Sequence, residues 1–153
     1  MKDLSATMIR LSGERKIQLD QIAQMTGATS MNAAIGKLIE LARAQGLVDH
    51  TTPGVTINSF GDGMAIAFND ATPTAFSHEG IAALVATIRD YVDGTAKAGT
   101  FVSKDHNYSV LRRGSSFKVA IPASSASPKT WAADVALDFA DMIEAESAKA
   151  RAA

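Results

Sequence analysis

Residues that could perform catalysis or bind a metal are widely spaced in this 153-residue chain. Its three histidines, His50, His78 and His106, are far apart, and each falls at a predicted boundary between elements. The chain has no cysteine, which excludes disulfides and thiolate zinc sites. Without cysteine or a close histidine pair, no transition-metal site is expected.

Patterns typical of enzymes do not accompany the frequent serines and aspartates. No nucleophile-elbow spacing is present, and Gly61-Asp62-Gly63 is interpreted as a tight turn because a strand follows it rather than a helix. The sequence therefore predicts a protein that is not an enzyme and has no cofactor or metal. An enzyme site in the carboxy-terminal part, near His78 or His106, stays open as a minor alternative.

Arg10 carries the most specific recognition chemistry. Its planar guanidinium can engage O6 and N7 of guanine together, which is worth ~1–3 kcal/mol of discrimination between bases. Residues 6–12 alternate like a strand. One face carries Thr7, Ile9 and Leu11, and the other carries Ala6, Met8, Arg10 and Ser12. Ala6 and Met8 have no hydrogen-bonding groups in their side chains.

Two helices are predicted to position this run. The first covers 13–26, with Ser12 as its N-cap and Gly27 at its C-cap. The second covers about 31–45, capped by Thr29 or Ser30, and stops at Gly46.

The second predicted helix is apolar around a wide arc and must be enclosed on several sides. No aromatic residue occurs before Phe60. A segment of about 45 residues built from small aliphatic side chains is marginal as an isolated fold. We therefore expect two copies to interlock, so that four helices and a two-stranded ribbon form one unit.

The strand–helix–helix order resembles the ribbon-helix-helix family of DNA-binding repressors, the MetJ/Arc superfamily. The resemblance covers about a third of the chain, from Ser5 to Val48. It rests on Ile9-Arg10-Leu11-Ser12, Leu19 with Ile22-Ala23, Thr26-Gly27, and Ile35 with Ile39 and Ala42.

The resemblance implies a homodimer that inserts an antiparallel β-ribbon into the major groove of double-stranded DNA, a mode used by β-ribbon readers. By position, the base-reading residues would be Ala6, Met8 and Arg10. The start of the second helix would hold a phosphate through Thr29, Ser30 and Met31. The turn of residues 27–32 is about one residue longer than the family pattern, which leaves open which amide faces the phosphate. Further candidate phosphate contacts are Lys2, Arg15 and Lys16.

The predicted function is sequence-specific DNA binding by a transcriptional repressor or accessory nucleoprotein. Because few bases can be read directly, adjacent dimers on repeated sites are expected. The net charge of −1 motivates an alternative, an antitoxin-like protein-interaction or oligomerisation module without strong DNA specificity. The first 50 residues hold six basic and five acidic side chains, so charge does not separate the two.

Beyond a linker at 49–54, a ββα pattern occurs twice in residues 55–147. The hairpin turns at Gly61 and Gly114 are 53 residues apart, and the apolar positions keep the same spacing. The predicted helices cover Ser77–Val92 and about Lys129–Glu146. The expected fold is α+β, with unit 1–48 followed by one four-stranded antiparallel sheet and two helices in a two-layer sandwich.

Several further expectations concern the second domain and the location of the protein. Residues 94–106 are predicted to be a mobile connector, and residues 148–153 to fray. Tyr108, Phe117 and Trp131 are interpreted as core residues, while an unknown protein or small-molecule partner for this domain stays open. Met1–Ser5 lacks the apolar core of a signal peptide, and no apolar run reaches membrane-spanning length. A cytoplasmic protein without a membrane partner is therefore expected.

Overall fold

The computed structural model describes residues 7–49, 51–94 and 99–152. The chain divides into two compact units, Met1–His50 and Thr51–Ala153, called unit 1 and unit 2. Within the described ranges the chain forms four helices and seven strands, which confirms the predicted α+β class. In the same ranges, no helix combines the length and apolar character needed to cross a membrane.

Unit 1 consists of two helices, α1 (Gly13–Thr26) and α2 (Met31–Ala44). The Ser12 side chain accepts a hydrogen bond from the Arg15 amide at 3.3 Å, which confirms the predicted N-cap of α1. Gly27 ends α1 in the left-handed conformation, with φ of 72°. Residues 7–12, predicted as a strand, are exposed and lie outside any helix or strand of this single chain.

Unit 2 contains two antiparallel sheets and two helices. The first sheet has the order β1-β2-β3 and the second β4-β5-β6-β7. In chain order the elements are β1 (Val55–Phe60), β2 (Gly63–Phe68), β3 (Thr74–Ser77), α3 (His78–Asp93), β4 (Gly99–Ser103), β5 (Tyr108–Arg113), β6 (Ser116–Ala120), β7 (Lys129–Ala132) and α4 (Ala133–Ala152).

The prediction of a single four-stranded sheet for this unit is wrong. The structure has three additional strands, β3, β4 and β7, and its strands form one sheet of three strands and one of four. β3 and β7 are four residues long and each directly precedes a helix. The predicted start of the last helix at Lys129 is wrong, because residues 129–132 pair with β6 as β7 and α4 begins at Ala133. β4 lies within the stretch expected to be a mobile connector. At the carboxy terminus, α4 is helical to Ala152 where fraying was expected.

The strand registers of unit 2 repeat, with β1, β2, β3 and α3 followed by β5, β6, β7 and α4 in the same order. Thr56 pairs with Ala67 in the first copy, and Ser109 pairs with Ala120 in the second, 53 residues later in both strands. Across the next ladders, Met64 pairs with Phe76 and Phe117 pairs with Trp131. The repeating unit is therefore βββα rather than ββα, and β4 is an addition to the second copy.

The two copies share one hydrophobic core. α3 packs on β5, and α4 packs on β1, so each helix covers the first strand of the other copy. Four pairs of helix positions, each 55 residues apart, are buried in both copies: Ile81 and Ala136, Leu84 and Phe139, Val85 and Ala140, and Ile88 and Ile143. Tyr108 and Phe117 are buried as predicted, and Trp131 is half-buried against the same core.

Polar contacts also join the two copies. The Arg89 guanidinium on α3 donates to the carboxylates of Glu144 and Asp141 on α4, at distances of 2.9 Å for the shortest bonds. These bonds raise the pKa of Arg89 and lower that of Glu144. His78 Nδ1 lies 2.7 Å from Ser147 Oγ, and Nε2 lies 3.2 Å from the Gly61 carbonyl oxygen. Since a carbonyl can only accept, Nε2 carries the proton in this arrangement.

Gly63 at the start of β2 tests the close approach of β2 and β3. A Cβ at this position would collide with the Phe76 carbonyl oxygen. We expect Gly63→Ala to lower the free energy of unfolding by about 1–3 kcal/mol through overpacking against a backbone that cannot move aside. Urea denaturation measures the change.

Gly61 in the same hairpin is the matched control. A Cβ there would meet no atom within 4 Å, and its backbone has no positive φ. Gly61→Ala should therefore leave the urea midpoint near that of the wild type. Equal destabilisation by both substitutions would contradict the close β2–β3 contact.

Candidate nucleic-acid interface

The segment before α1 presents Met8 and Arg10, two of the three predicted base-reading side chains, to solvent. Met8 is 98% exposed, and Arg10 is also exposed. Ser12 ends this segment with an extended backbone, φ −66° and ψ 158°, before the helix begins. Ala6 and Lys2 lie outside the described residues. The described part of the segment is thus accessible to a partner along its length.

The first turns of α1 carry two exposed cations with local partners. Arg15 Nη1 donates to Gln18 Oε1 at 2.8 Å. Lys16 Nζ lies 3.0 Å from Asp20 Oδ2, and both side chains of this ion pair are about half exposed or more. Exposed ion pairs of this kind contribute only ~0–1 kcal/mol. Lys16 can therefore exchange Asp20 for another anion at small cost.

The start of α2 has the geometry that favours an anion. Ser30 Oγ accepts from the Ala33 amide at 3.0 Å, so Ser30, rather than the exposed Thr29, is the N-cap. Met31 and Asn32 follow as the first helical residues, and a helix provides no intrahelical acceptor for amides at these positions. The helix dipole adds partial positive charge at the same end. The Ser30 side chain binds the Ala33 amide, so capping does not occupy the amide of Met31.

Unit 1 buries very little of its aliphatic surface. Ala34 is the one buried residue of α1 and α2. Met25 is 88% exposed, and Leu41 is 64% exposed. Other large apolar side chains that stay exposed in the unit are Ile9, Leu11, Ile17, Ile35, Ile39, Leu47 and Val48. A two-helix hairpin with this surface lacks a core of its own.

Candidate groups in unit 2 are buried polar side chains that sequence reasoning did not find. The Thr87 hydroxyl donates to the Ala83 carbonyl at 2.8 Å, so the Tyr108 hydroxyl, 2.7 Å away, donates to Thr87. Burial raises the Tyr108 pKa, although hydrogen bonds oppose the shift. Lys129 Nζ donates to Asn69 Oδ1 at 2.7 Å, and burial lowers the pKa of Lys129. These bonds tie the two copies together.

The structure brings two of the histidines to the start of α3. His78 is the first residue of that helix, and a methyl group at Gly80 would lie 3.2 Å from His106 Nδ1. His50 is outside the described residues. In the ranges that the structure describes, no three histidine, aspartate or glutamate side chains are grouped so that they could hold a metal ion.

Comparison with known protein families, curated proteins and solved structures gives no match to this chain. The assignment of a function therefore rests on the residues of unit 1 and their surroundings.

Ser30 offers a test of the α2 start. Ser30→Ala removes the acceptor for the Ala33 amide and should lower the free energy of unfolding by about 1 kcal/mol, as is typical of N-cap losses. Thr29→Ala changes an exposed neighbour outside the cap and should have little effect. Chemical denaturation at one fixed protein concentration compares the two. A larger loss from Thr29→Ala would show that the cap has been assigned to the wrong residue.

Proposed function

We propose that the protein is a homodimeric, sequence-specific DNA-binding protein, a transcriptional repressor or accessory nucleoprotein that places a two-stranded β-ribbon in the major groove. The observation that supports it most is the unburied aliphatic surface of unit 1, together with the exposed Arg10 segment that precedes it.

The apolar surface favours a second copy of the same unit. Fully burying one leucine or isoleucine side chain stabilises a fold by about 1.5–3 kcal/mol. α2 alone exposes Ile35, Ile39 and Leu41, and Ile35 and Ile39 lie one turn apart on the same side. When two such helix pairs interlock, these side chains acquire a common core. The dimer then provides the stability that a single copy lacks.

The segment before α1 gains from the same association. A strand needs a partner to satisfy its backbone hydrogen bonds, and in a symmetric dimer the partner is the same segment of the second copy. Pairing of the two segments would fix the alternation of residues 6–12 and direct Ala6, Met8 and Arg10 to one face. Two guanidinium groups per dimer would then face base edges.

Contacts to the DNA backbone would come from the helix starts. Arg15 and Lys16 are exposed near the beginning of α1, and the Thr29, Ser30 and Met31 region begins α2. Backbone contacts of this type position a protein on DNA, whereas base contacts select the sequence. In this proposal, Arg10 supplies most of the specificity, and the helix starts supply affinity.

Dimerisation is tested by Ile39→Lys. In one chain Ile39 is 36% exposed, so lysine is tolerated there, but in the dimer it would introduce an unpaired charge into an apolar interface. We expect sedimentation to show a dimer for the wild type and a monomer for this variant. Gln24→Lys, which adds the same charge at an exposed polar position of α1, should remain dimeric. A dimer that survives Ile39→Lys unchanged would rule out this interface.

Base reading is tested by Arg10→Ala. We expect the variant to lose its preference for the selected site in footprinting, because each bidentate arginine–guanine pair is worth ~1–3 kcal/mol of discrimination. Thermal stability should stay near that of the wild type, since Arg10 is exposed. The site itself comes from selection of bound DNA from a random pool. An unaltered footprint would remove Arg10 from the base-reading role.

Arg15→Ala is the matched control for this experiment. It should weaken binding to all sequences alike and reduce the slope of log affinity against log salt by about 0.9 for each phosphate that the variant no longer neutralises. If the wild-type protein binds no DNA at low salt, the alternative function, an antitoxin-like protein-interaction module, is favoured instead.

A further inference from the structure

We propose that β4 is a self-association edge, through which the second sheet of unit 2 pairs antiparallel with β4 of a second copy of this chain. β4 is the terminal strand of the order β4-β5-β6-β7, so one of its two edges faces away from β5. It also has no counterpart in the first repeat, where the sheet begins at β1.

Within its described residues, β4 lacks the charges, prolines and bulges that normally prevent strand pairing. Natural edge strands are protected by charges, proline, bulges or covering elements. β4, Gly99-Thr100-Phe101-Val102-Ser103, contains no charge and no proline, and its register with β5 is continuous. Phe101 is 42% exposed and Val102 is 52% exposed, and as neighbours in a strand they point to opposite faces. Apolar surface is thus presented on both sides of an open edge.

The uncharged composition of β4 favours a second copy of the same strand as the partner at this edge. Antiparallel pairing centred on Phe101 places Phe101 opposite Phe101 of the second copy, and Thr100 opposite Val102. In a strand, the backbone N–H and C=O groups of alternate residues point to the same edge, so those of Thr100 and Val102 point to one edge of β4 and those of Gly99, Phe101 and Ser103 to the other. Whichever of these two sets points away from β5, called the outward set, faces the same set of the second copy in this register. No like charges meet, and an aromatic pair forms at the centre.

β1 is a weaker candidate for the same role. It is also a terminal strand and carries the exposed Phe60. Phe60 lies at its end, however, and the centre holds Asn58, a residue that is depleted in strands. α4 also packs on β1.

Five-residue strands form a small interface, well below the area of a standard protein–protein contact. Stable pairing therefore needs a tether that raises the local concentration of the second β4. The proposed dimer of unit 1 supplies this tether, so this inference rests on the proposed function. The result would be a continuous eight-stranded sheet joining two copies of unit 2.

Residue-resolved amide hydrogen exchange on the full chain tests the pairing. In the wild type we expect protection of all β4 amides, both those that point toward β5 and the outward set that points away from it. The outward amides should exchange at least about tenfold more slowly than unpaired amides. Phe101→Lys and Phe101→Glu each place like charges opposite one another and should abolish protection of the outward set. An equimolar mixture of the two variants should restore it, because lysine then faces glutamate.

Phe60→Lys makes the same change at the other exposed edge aromatic and should leave β4 exchange as in the wild type. The inference is overturned if the outward amides of the wild type exchange as fast as unpaired amides. It is also overturned if Phe101→Lys keeps them protected, if the mixture does not recover protection, or if Phe60→Lys removes it. If either Phe101 variant fails to fold by circular dichroism, the wild-type exchange decides alone.

Sedimentation of the same samples separates this inference from the proposed function. A wild-type dimer with fast outward exchange in β4 would overturn the edge pairing and leave the unit 1 dimer intact. A wild-type monomer would overturn the proposed dimer and, with it, the tether on which the edge pairing depends.

Discussion

The need to enclose apolar surface is the constraint on which this structure depends, and the two units meet it differently. In unit 2 the partner surface is part of the same chain: α3 covers β5 and α4 covers β1, so duplicated halves complete one core. In unit 1 the helices bury only Ala34 and leave several large aliphatic side chains exposed. We propose that a second copy of the chain provides the missing half there.

Polar contacts in unit 2 follow the same division into halves. Arg89 with Glu144, Thr87 with Tyr108, and Asn69 with Lys129 each join a residue of the first copy to one of the second. Burial raises the Tyr108 pKa. The neutral phenol is therefore favoured in the folded state, and its contribution to stability is present below about pH 10 and declines as the pH rises through the folded pKa.

Local signals made some elements predictable from the chain. Ser12 and Gly27 bound α1 because a hydroxyl accepts a helix amide and glycine adopts a positive φ at low cost. The repeat was visible because Gly61 and Gly114 recur with the same apolar spacing. The first signal depends on near neighbours, and the second on one local pattern that occurs twice. The DNA-binding role of Arg10, by contrast, is a prediction from a strand pattern and a family resemblance. The structure adds only that the Arg10 side chain is exposed.

Taken alone, the sequence determined the caps of α1, the spacing of the repeated hairpins and the α+β class, because each depends on residue types at fixed spacings. Only the tertiary structure decided that β3, β4 and β7 exist and that the sheets number two. Strands of four or five residues carry too little alternation to be recognised by themselves. They form because they pair with backbone N–H and C=O groups of β2, β5 and β6 that would otherwise be unsatisfied. These groups come into register only when the chain has folded.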